Sequence, residues 1–447
     1  MSAREAAMLT LTAMERQRAW SDGQLRKLIR DAGLDRRDAA LATRLCLGVL
    51  QNRMLLDHYL QQYSTMKLEK MESKVRNSLR IGLYQLLFLT KIPANAAVTE
   101  SVELVKKHCK NKRAWGMVNG ILRNLSRNID QLPPLDRTDE LDYLALLYSH
   151  PRWLVETFAS RFSRQETEEL LRWDNSEPPV TVQVNTCRYT TEEVTAALEE
   201  EGVTVEAHPW LDDCLILSGT GDLAARRAYK EGMLYAQDPA ARLAVLAAGL
   251  KTGDKVLDAC AAPGGKSFAA AMVMGDTGEI TSCDLHSHKK VLIEAGAQRL
   301  KLSTVTARVV DGKKLREEWK NAFDAVIADV PCSGLGVLRK KPEIRYKTPE
   351  ELAGLPVVQG DIINNVAQYV RPGGVLLYAT CTLRKEENEN VVDAFLTHHP
   401  DFALEAFTLP VPVGEVKSGQ ITLWPQRTDT DGFFVAKLRR KAEEVQL

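Results

Sequence analysis

The chain has 447 residues, of which 45% are hydrophobic and 26% charged, and its 59 lysines and arginines balance its 59 aspartates and glutamates. The length predicts two or three domains, and the composition is typical of a globular protein, which excludes a disordered or fibrous one. An apolar run of the ~18–20 residues needed to span a bilayer is absent, as is a signal-peptide pattern, so we expect no membrane association and a cytoplasmic location.

The eight cysteines are scattered singly, without a Cys-x-x-Cys pair. This spacing argues against a zinc ribbon and, in a reducing compartment, against a disulfide framework. His286 with His288, and His398 with His399, lack the spaced partners that a metal site needs. We therefore expect no metal.

The balanced charge hides an asymmetry along the chain. Residues 1–130 contain 23 lysines and arginines against 12 aspartates and glutamates, and the rest contains 36 against 47. A basic module joined to an acidic one suits an enzyme that holds nucleic acid by its phosphates. A solvated helical surface would have the same composition, so both interpretations stay open.

Residues 1–130 are predicted to form an all-α bundle. Apolar residues recur every three or four positions, which predicts helices over residues 3–20, 37–59, 73–89, 97–108 and 114–125. The segment 131–139, with its paired prolines, is predicted to be the linker that ends this bundle.

Residues 131–235, which include this linker, are predicted to form a small α/β insert. Strands are expected over 180–186, 203–207 and 214–218, and helices over 192–201 and 222–230. Thr190 and Glu193 form a capping box before the first of these helices. The function of the insert cannot be read from these residues.

Residues 236–441 alternate short buried β runs with helices, which predicts a Rossmann-like, doubly wound and mostly parallel α/β sheet. The predicted strands are 255–259, 279–284, 304–311, 323–329, 375–379 and 433–438. The predicted helices are 239–250, 267–274, 287–302, 359–370 and one near 386–398.

A glycine-rich turn follows the first strand of this sheet and opens a helix. It reads Cys260-Ala261-Ala262-Pro263-Gly264-Gly265-Lys266, and it matches neither the dinucleotide nor the phosphate-loop pattern. Asp284 ends the second predicted strand and Asp311 the third, where they could meet a ribose and an adenine edge. Solvated aspartates are the alternative, but together these features predict an adenosine-bearing cofactor.

Two cysteines follow the next two predicted strands. Asp329 ends the fourth strand and precedes Cys332, and Cys381 follows the fifth. A cysteine is nucleophilic only as a thiolate, and its ordinary pKa of ~8.5 means that it needs activating surroundings. Either cysteine alone would be structural, but both beside a cofactor turn predict covalent chemistry on a substrate.

These motifs resemble those of the S-adenosylmethionine-dependent RNA cytosine carbon-5 methyltransferases. The matching segments are 258–267 (DACAAPGGKS), 328–336 (ADVPCSGLG), 378–382 (YATCT) and 432–434 (GFF). Residues 97–105 and 118–123 resemble the NusB-type RNA-binding domain. The combination resembles the bacterial family that methylates cytosine 967 of 16S ribosomal RNA, over nearly the whole chain.

The resemblance implies a NusB-like RNA-binding domain over 1–130, a linker and small α/β subdomain over 131–235, and a methyltransferase domain over 236–441. S-adenosylmethionine would lie on the 260–266 turn, with Asp284 at its ribose, Asp311 at its adenine region and Asp329 nearby. The implied partner is 16S ribosomal RNA, naked or in an early small-subunit particle, and the protein is expected to act as a monomer.

The family also implies catalytic roles. Cys381 would add to carbon 6 of cytosine, Asp329 would bind the base edge, and Cys332 would help to remove the proton from carbon 5. DNA enzymes of this chemistry use a proline-cysteine motif as nucleophile, so the assignment between the two thiols stays open. So do the role of Lys266 and the choice between RNA contact and solvation for residues 339–341.

Three other functions are compatible with parts of the sequence to different degrees. The enzyme could act on transfer RNA, or the chain could be a noncatalytic RNA-binding or antitermination factor. An amino-methyltransferase needs no thiol and uses an Asp/Asn-Pro-Pro-Tyr/Phe loop, which the chain lacks. Two departures from the family pattern, Ala240 and the absence of histidine at 425–428, lie outside the core motifs.

Overall fold

The computed structural model describes residues 1–17 and 21–442. The chain divides into two compact units, Met1–Ser176 with Leu338–Lys347, and Glu177–Val337 with Thr348–Leu447. The segment Leu338–Lys347 therefore belongs to the first unit although the sequence on both sides of it belongs to the second. The three segments predicted from sequence, with boundaries after residues 130 and 235, stay a prediction.

The first unit is helical around a core that includes Leu45, Leu56, Leu60 and Leu79, and the described part of residues 1–130 is helical as the sequence predicts. Its helices are α1 (Ala3–Gln17), α2 (Ser21–Asp31), α3 (Arg36–Gln51), α4 (Arg53–Gln62), α5 (Ser73–Phe88), α6 (Ala94–His108), α7 (Lys112–Arg127), α8 (Glu140–Leu147), α9 (Arg152–Ala159) and α10 (Arg164–Asp174). The end of the helix predicted over 3–20 lies outside the described residues.

The single helix predicted over 37–59 is wrong, because two helices, α3 and α4, meet at Asn52. The backbone N–H of Asn52 and its side-chain amide both donate to the carbonyl of Gly48, at 3.1 and 2.9 Å. A side chain that competes for a backbone carbonyl in this way ends a helix although the apolar spacing continues.

Arg345 is the buried centre of the segment Leu338–Lys347. Its guanidinium donates to the carbonyls of Gln51 at 3.2 Å and Tyr148 at 3.3 Å, and to the side chain of Asn175 at 2.7 Å. The hydroxyl of Tyr346 donates to the carbonyl of Leu50 at 2.6 Å. These carbonyls lie at the ends of α3 and α8, which leave acceptors unpaired and favour a cation.

The second unit contains a small antiparallel sheet in the order β2-β3-β1-β4. Its elements are β1 (Val180–Val184), α11 (Thr191–Glu200), β2 (Thr204–Ala207), β3 (Cys214–Ser218), α12 (Arg227–Lys230) and β4 (Leu234–Ala236). The helix predicted over 222–230 is wrong in its first half, which is a 3₁₀ turn, Leu223–Ala225. Arg226 is extended between the two pieces, and its guanidinium donates to the carbonyl of Thr220.

The larger sheet of the second unit has the order β10-β14-β9-β8-β5-β6-β7, with β13 beside β14. The five strands from β9 to β7 are parallel. β14 pairs antiparallel with β9, and β10 pairs antiparallel with β14, so β14 takes part in each of these antiparallel pairs, as it does in the pair with β13. This arrangement confirms the predicted mostly parallel, doubly wound sheet. Its elements and their connections are α13 (Pro239–Ala248), β5 (Lys255–Asp258), α14 (Gly265–Val273), β6 (Glu279–Asp284), α15 (Ser287–Leu300), β7 (Val305–Val309), β8 (Phe323–Asp329), α16 (Pro349–Leu352), α17 (Leu355–Val366), β9 (Val370–Thr380), α18 (Glu389–His398), β10 (Phe402–Leu404), β11 (Phe407–Thr408), β12 (Glu415–Val416), β13 (Gln420–Leu423), α19 (Pro425–Thr428) and β14 (Phe433–Arg440).

Hydrophobic side chains cover both faces of this sheet. Val256 and Ile327 pack into one buried cluster with α13, α14 and α15, and Leu257 and Val326 pack into another with α17 and α18. Neighbouring strand residues alternate between the two clusters because successive side chains of a strand point to opposite faces. Helices on both faces are the reason that these strands read as continuous apolar runs.

The start of β9 differs from its prediction. The segment 372–374 (Pro-Gly-Gly) was expected to stop a helix before a strand at 375, but α17 already ends at Val366 and β9 begins at Val370. The register with β8 shifts between Phe323 and Ala325, so extra residues of β9 form a bulge. A bulge accommodates proline and a glycine at φ +75°, Gly373, inside a strand. Among the described residues, no helix combines the length and the apolar character needed to cross a membrane.

Candidate active site

The carboxyl ends of the parallel strands meet at one edge of the larger sheet. Asp258 of β5 pairs with Ile327 of β8, and Asp329 pairs with Ala379 of β9. β6 and β7 lie on one side of β5, and β8 and β9 on the other. A change of direction of this kind opens a crevice beyond the strand ends, where doubly wound sheets bind their ligands.

The glycine-rich turn lies between β5 and α14. The N–H of Ala261 donates to the carbonyl of Cys283 at 2.7 Å, and the N–H of Gly264 donates to the carbonyl of Ala261 at 2.7 Å. Gly264 has φ +113°, and a Cβ there would lie 2.4 Å from the ring of Phe268, so the position requires glycine. The first N–H groups of α14 have no carbonyl partner within the helix and can donate hydrogen bonds to a ligand's oxygen atoms.

Asp258, the last residue of β5, is hydrogen-bonded to the helix that follows the turn. The hydroxyl of Ser267 donates to its carboxyl oxygen at 2.7 Å, and the hydroxyl of Ser282 donates to Ser267 at 2.7 Å. Burial raises the pKa of Asp258 to about 7. The three side chains join β5, β6 and the first turn of α14. Burial also raises the pKa of Cys260 far above its ordinary value, which makes Cys260 a poor nucleophile.

The two other predicted cofactor carboxylates lie on neighbouring segments. Asp284 ends β6, is 7% exposed, and accepts the N–H of His286 at 3.2 Å. Asp311 lies two residues beyond β7, accepts the N–H of Lys313 at 3.1 Å, and lines a cleft with Asp361. The two segments are joined by the N–H of Val310, which donates to the carbonyl of Asp284 at 3.0 Å.

Lys266 and Asp329 form an ion pair at this edge. The ammonium of Lys266 lies 2.6 Å from a carboxylate oxygen of Asp329 and 4.8 Å from the ring centre of Phe433. Burial lowers the pKa of Lys266, but the charge and hydrogen bond of Asp329, together with the charge of Asp258, outweigh burial, so the net pKa is raised and the cation is retained. The sequence left the role of Lys266 open, and the structure places it against a predicted catalytic carboxylate.

The thiols of Cys332 and Cys381 lie 3.1 Å apart, sulfur to sulfur. Two bonds hold their loops together: the N–H of Gly336 with the carbonyl of Cys381 at 2.9 Å, and the hydroxyls of Ser333 and Thr382 at 2.6 Å. The structure therefore brings together two cysteines that are 49 residues apart in the chain.

The charges around the two thiols differ. Contact with Cys381, then burial, raises the pKa of Cys332 well above its ordinary value, and the nearby carboxylates of Glu387 and Asp329 act in the same direction. The cation of Lys266 interacts electrostatically with Cys381. Two adjacent thiols do not readily ionise together, and the surroundings of Cys332 disfavour a thiolate at that residue.

Three buried polar residues near the thiols were missed from the sequence. Glu387, Asn388 and Gln359 bond the loops that carry the cysteines. The run of charged and amide residues 385–390, six residues after an apolar strand, was the available signal. Within the described parts of the chain, no group of three or more His, Cys, Asp or Glu residues is placed to hold a metal.

Comparisons with known proteins match three parts of the chain. Residues 245–439 match the model of the 16S rRNA methyltransferase RsmB/F family, and residues 1–127 match the NusB family. Residues 150–224 match the ferredoxin-like domain of RsmF/B-like methyltransferases, a signal that the sequence of the insert alone did not provide.

Curated relatives match over almost the entire length. The Bacillus subtilis (strain 168) protein named "Probable ribosomal RNA small subunit methyltransferase B" is 36% identical, over 98% of this chain and 99% of the relative. The chain belongs to the ribosomal RNA small subunit methyltransferase B family. Another member, from Cronobacter sakazakii (strain ATCC BAA-894), is 30% identical over 91% of each chain.

Membership of this family confirms the predicted cofactor, S-adenosylmethionine. The 260–266 turn fits it, because bare glycine backbone and free helix N–H groups lie beside a strand-end carboxylate. Membership also argues against the noncatalytic RNA-binding alternative.

Solved structures share the fold. The crystal structure of PH0851 has a TM-score of 0.83 at 24% identity, over 98% of this chain and 99% of that one. NSun6 from Pyrococcus horikoshii with SFG has a TM-score of 0.58 at 21% identity, over 65% of this chain and 98% of that one. These likenesses agree with the helical first unit and the mixed α/β second unit.

Proposed function

We propose that this protein methylates carbon 5 of one cytosine in 16S ribosomal RNA, the residue that its family resemblance gives as cytosine 967. The observation that carries the proposal is the pair of thiols of Cys332 and Cys381, 3.1 Å apart. They lie at the same sheet edge as the Lys266–Asp329 ion pair. Methylation of an amino or hydroxyl group needs no thiol, whereas carbon 5 of cytosine must first be activated.

Cys381 is the proposed nucleophile. Its sulfur forms a bond to carbon 6 of cytosine, which makes carbon 5 an enamine carbon with nucleophilic character. The carboxylates of Glu387 and Asp329 near Cys332 disfavour a thiolate at Cys332, which makes it the less suitable nucleophile of the two. This charge pattern supports the assignment that the sequence left open.

Asp329 and Lys266 are proposed to hold the base edge. A carboxylate can accept from the exocyclic amino group of cytosine, and a proton shared within the ion pair can neutralise the ring as sulfur adds. The 2.6 Å contact fixes the carboxylate before substrate binds, so little reorganisation is needed.

Cys332 is proposed to act after methyl transfer. The proton on carbon 5 must leave before the bond between sulfur and carbon 6 breaks. The sulfur of Cys332, beside Cys381, would take up this proton as its own proton passes to water, so that Cys332 ends the step as a thiol. The residues of the 260–266 turn with Asp284 would hold the cofactor, and Asp311 its adenine region. Bound S-adenosylmethionine supplies the electrophilic methyl group.

The basic first unit is proposed to hold the RNA. A base within a stack cannot reach a pocket at a sheet edge, so the target cytosine must be splayed out of its helix. Residues 1–130, with 23 lysines and arginines against 12 acidic residues, supply charge for phosphate contacts. A monomeric state and a cytoplasmic location remain predictions.

Bisulfite sequencing of 16S ribosomal RNA tests the function. A deletion strain should lack one 5-methylcytosine, and the wild-type gene should restore it. The purified Cys381→Ala variant should form no covalent complex with RNA on a denaturing gel, and Cys332→Ala should accumulate it. Cys187→Ala, which alters a half-buried thiol of the second unit, is the matched control and should behave as wild type.

The outcomes separate the alternatives. Accumulation of complex by Cys381→Ala and its absence from Cys332→Ala would exchange the roles of the two thiols. A 5-methylcytosine lost from transfer RNA instead of ribosomal RNA would establish the other substrate. Unchanged methylation in the deletion strain would refute the proposed function.

A further inference from the structure

Two consecutive residues, Glu387 and Asn388, are buried between the loops that carry the thiols. Glu387 has no exposed surface and Asn388 is 1% exposed. They precede α18, and neither takes part in the proposed bond-making steps. Burial of a carboxylate and an amide is costly unless each polar group finds a partner, so their bonds identify what holds them there.

Glu387 and Gln359 hold the two peptide groups that flank Cys332. The N–H of Ser333, after the cysteine, donates to the carboxylate of Glu387 at 2.8 Å. The amide of Gln359 donates to the same carboxylate oxygen at 3.0 Å and to the carbonyl of Pro331, before the cysteine, at 3.0 Å. The backbone on both sides of Cys332 is therefore fixed.

Asn388 holds the residues on both sides of Cys381. The hydroxyl of Thr380 donates to its side-chain oxygen at 2.6 Å, and its amide donates to the carbonyl of Thr382 at 2.9 Å. The adjacent backbone is fixed as well, because the hydroxyl of Tyr378 donates to the carbonyl of Glu387 at 2.6 Å. One short turn thus contacts both thiol loops.

We propose that Glu387 and Asn388 are positioning residues that act on separate steps, with Glu387 setting the place of the Cys332 thiol and Asn388 that of the Cys381 thiol. This inference rests on the proposed function. Reacting groups must be placed to within about 1 Å, since a displacement of that size can slow a reaction about a hundredfold. Two sulfurs that are 3.1 Å apart meet this demand only while both loops are held.

Single-turnover kinetics test the inference at saturating RNA and cofactor. The rate constants of formation and of loss of the RNA–protein complex do not depend on the folded fraction, whereas the amplitude does. Asn388→Ala should slow formation about tenfold or more and leave loss unchanged. Glu387→Ala should slow loss about tenfold or more and leave formation unchanged, and tenfold corresponds to about 1.4 kcal/mol of activation free energy.

Two further variants connect each effect with its thiol. In a Cys332→Ala background, Glu387→Ala should slow loss of the complex no further, because its effect passes through Cys332. Glu387→Gln keeps an acceptor oxygen for the N–H of Ser333 and should recover part of the rate of complex loss. This variant replaces Glu387→Ala in the test if the alanine variant does not fold. The exposed neighbours supply matched controls: Glu386→Ala and Asn390→Ala should match wild type.

The results distinguish this inference from the proposed function. Wild-type protein that forms neither complex nor 5-methylcytosine refutes the function. If the wild-type protein behaves as expected but the variants lose only amplitude, with unchanged rate constants, the positioning roles are refuted and the proposed function is not. The same conclusion follows if each variant slows both steps equally, or if Glu387→Ala slows loss further in the Cys332→Ala background.

Discussion

The ammonium of Lys266 lies 2.6 Å from the carboxylate of Asp329, which joins the first turn of α14 to the end of β8. The last residue of the glycine-rich turn therefore contacts the last residue of β8, just before the proline-cysteine loop. A cofactor held by the turn and a base held by the carboxylate would be adjacent through this one contact. The ring of Phe433 covers the ammonium and limits its access to water.

Removal of the Lys266 charge should cut turnover. Lys266→Met leaves the carboxylate of Asp329 without its cation, and we expect methylation to fall about tenfold to a hundredfold, since a hydrogen bond to a charged group contributes about 1.5–3 kcal/mol. Initial rates of methyl incorporation into RNA measure the effect. Lys290→Met, which alters a surface ion pair with Glu294, is the control. Equal rates in the two variants would show that the ion pair is not used.

Asp258 should make stability depend on pH. Its pKa in the folded protein is raised from 3.8 to about 7, so its contribution to stability is present below pH 3.8 and is lost as pH rises to 7. Asp258→Asn has no such loss. The free energy of unfolding of this variant, relative to that of the wild type, should therefore rise by about 1.4 kcal/mol per pH unit between pH 5 and 7. Chemical unfolding of both proteins at several pH values measures the difference. Parallel pH profiles would contradict this prediction.

Gly336→Ala should displace the loop that carries Cys332. A Cβ at this position would lie 1.9 Å from the carbonyl oxygen of Gly432, whose own N–H donates to the carbonyl of Gly336 at 2.7 Å. We expect loss of methylation and a lower unfolding temperature. Gly360→Ala, in the interior of α17 with open space around its Cβ, should instead gain up to about 1 kcal/mol of helix stability. A Gly336→Ala protein with wild-type activity would contradict the close packing.

The neighbouring thiols should be sensitive to oxidation. Diamide removes two hydrogens from a thiol pair, and sulfurs 3.1 Å apart can close a disulfide with little movement. We expect oxidised wild type to form no complex with RNA until dithiothreitol is added, and Cys332→Ala to keep forming it. Mass spectrometry of the Cys332–Cys381 peptide pair checks the bond. Equal loss in both proteins would point to another thiol.

RNA affinity should fall steeply with salt. If residues 1–130 bind phosphates, each contact releases counterions, and the logarithm of the association constant falls linearly with the logarithm of salt concentration. Titrations of ribosomal RNA at several concentrations of potassium chloride measure the slope. An affinity that stays flat between low and moderate salt would remove this role from the basic segment.

The parallel sheet could be predicted from the sequence because local pattern determines it. Buried strands such as β8 are continuous apolar runs. Because the carboxyl ends of parallel strands lie at the same edge of a sheet, the sequence alone predicts that Asp329 and Cys381 lie at one edge. The start of β9 could not be predicted, since proline and two glycines are typical of a helix stop and only the partner strand creates the bulge. The break at Asn52 likewise depends on one side-chain bond.

The contacts within the site were predictable only in part. The family motifs indicated both cysteines, but the pairing of Lys266 with Asp329 joins residues 63 apart, and that of Ser333 with Glu387 joins residues 54 apart. Such side-chain pairs leave no periodic signal in the sequence. They depend on how the turns beyond the strands fold back over the edge of the sheet.

The segment Leu338–Lys347 means that no single cut of the chain can release the second unit intact. A fragment that starts after Ser176 would still contain Arg345 and Tyr346. It would lack the carbonyls at the helix ends that accept their hydrogen bonds. Arg345, which is buried in the intact protein, would then face solvent on the segment that follows the loop of Cys332. Truncation after Ser176 should therefore disturb the segment Leu338–Lys347, which follows the loop of Cys332 in the chain, before it disturbs the larger sheet.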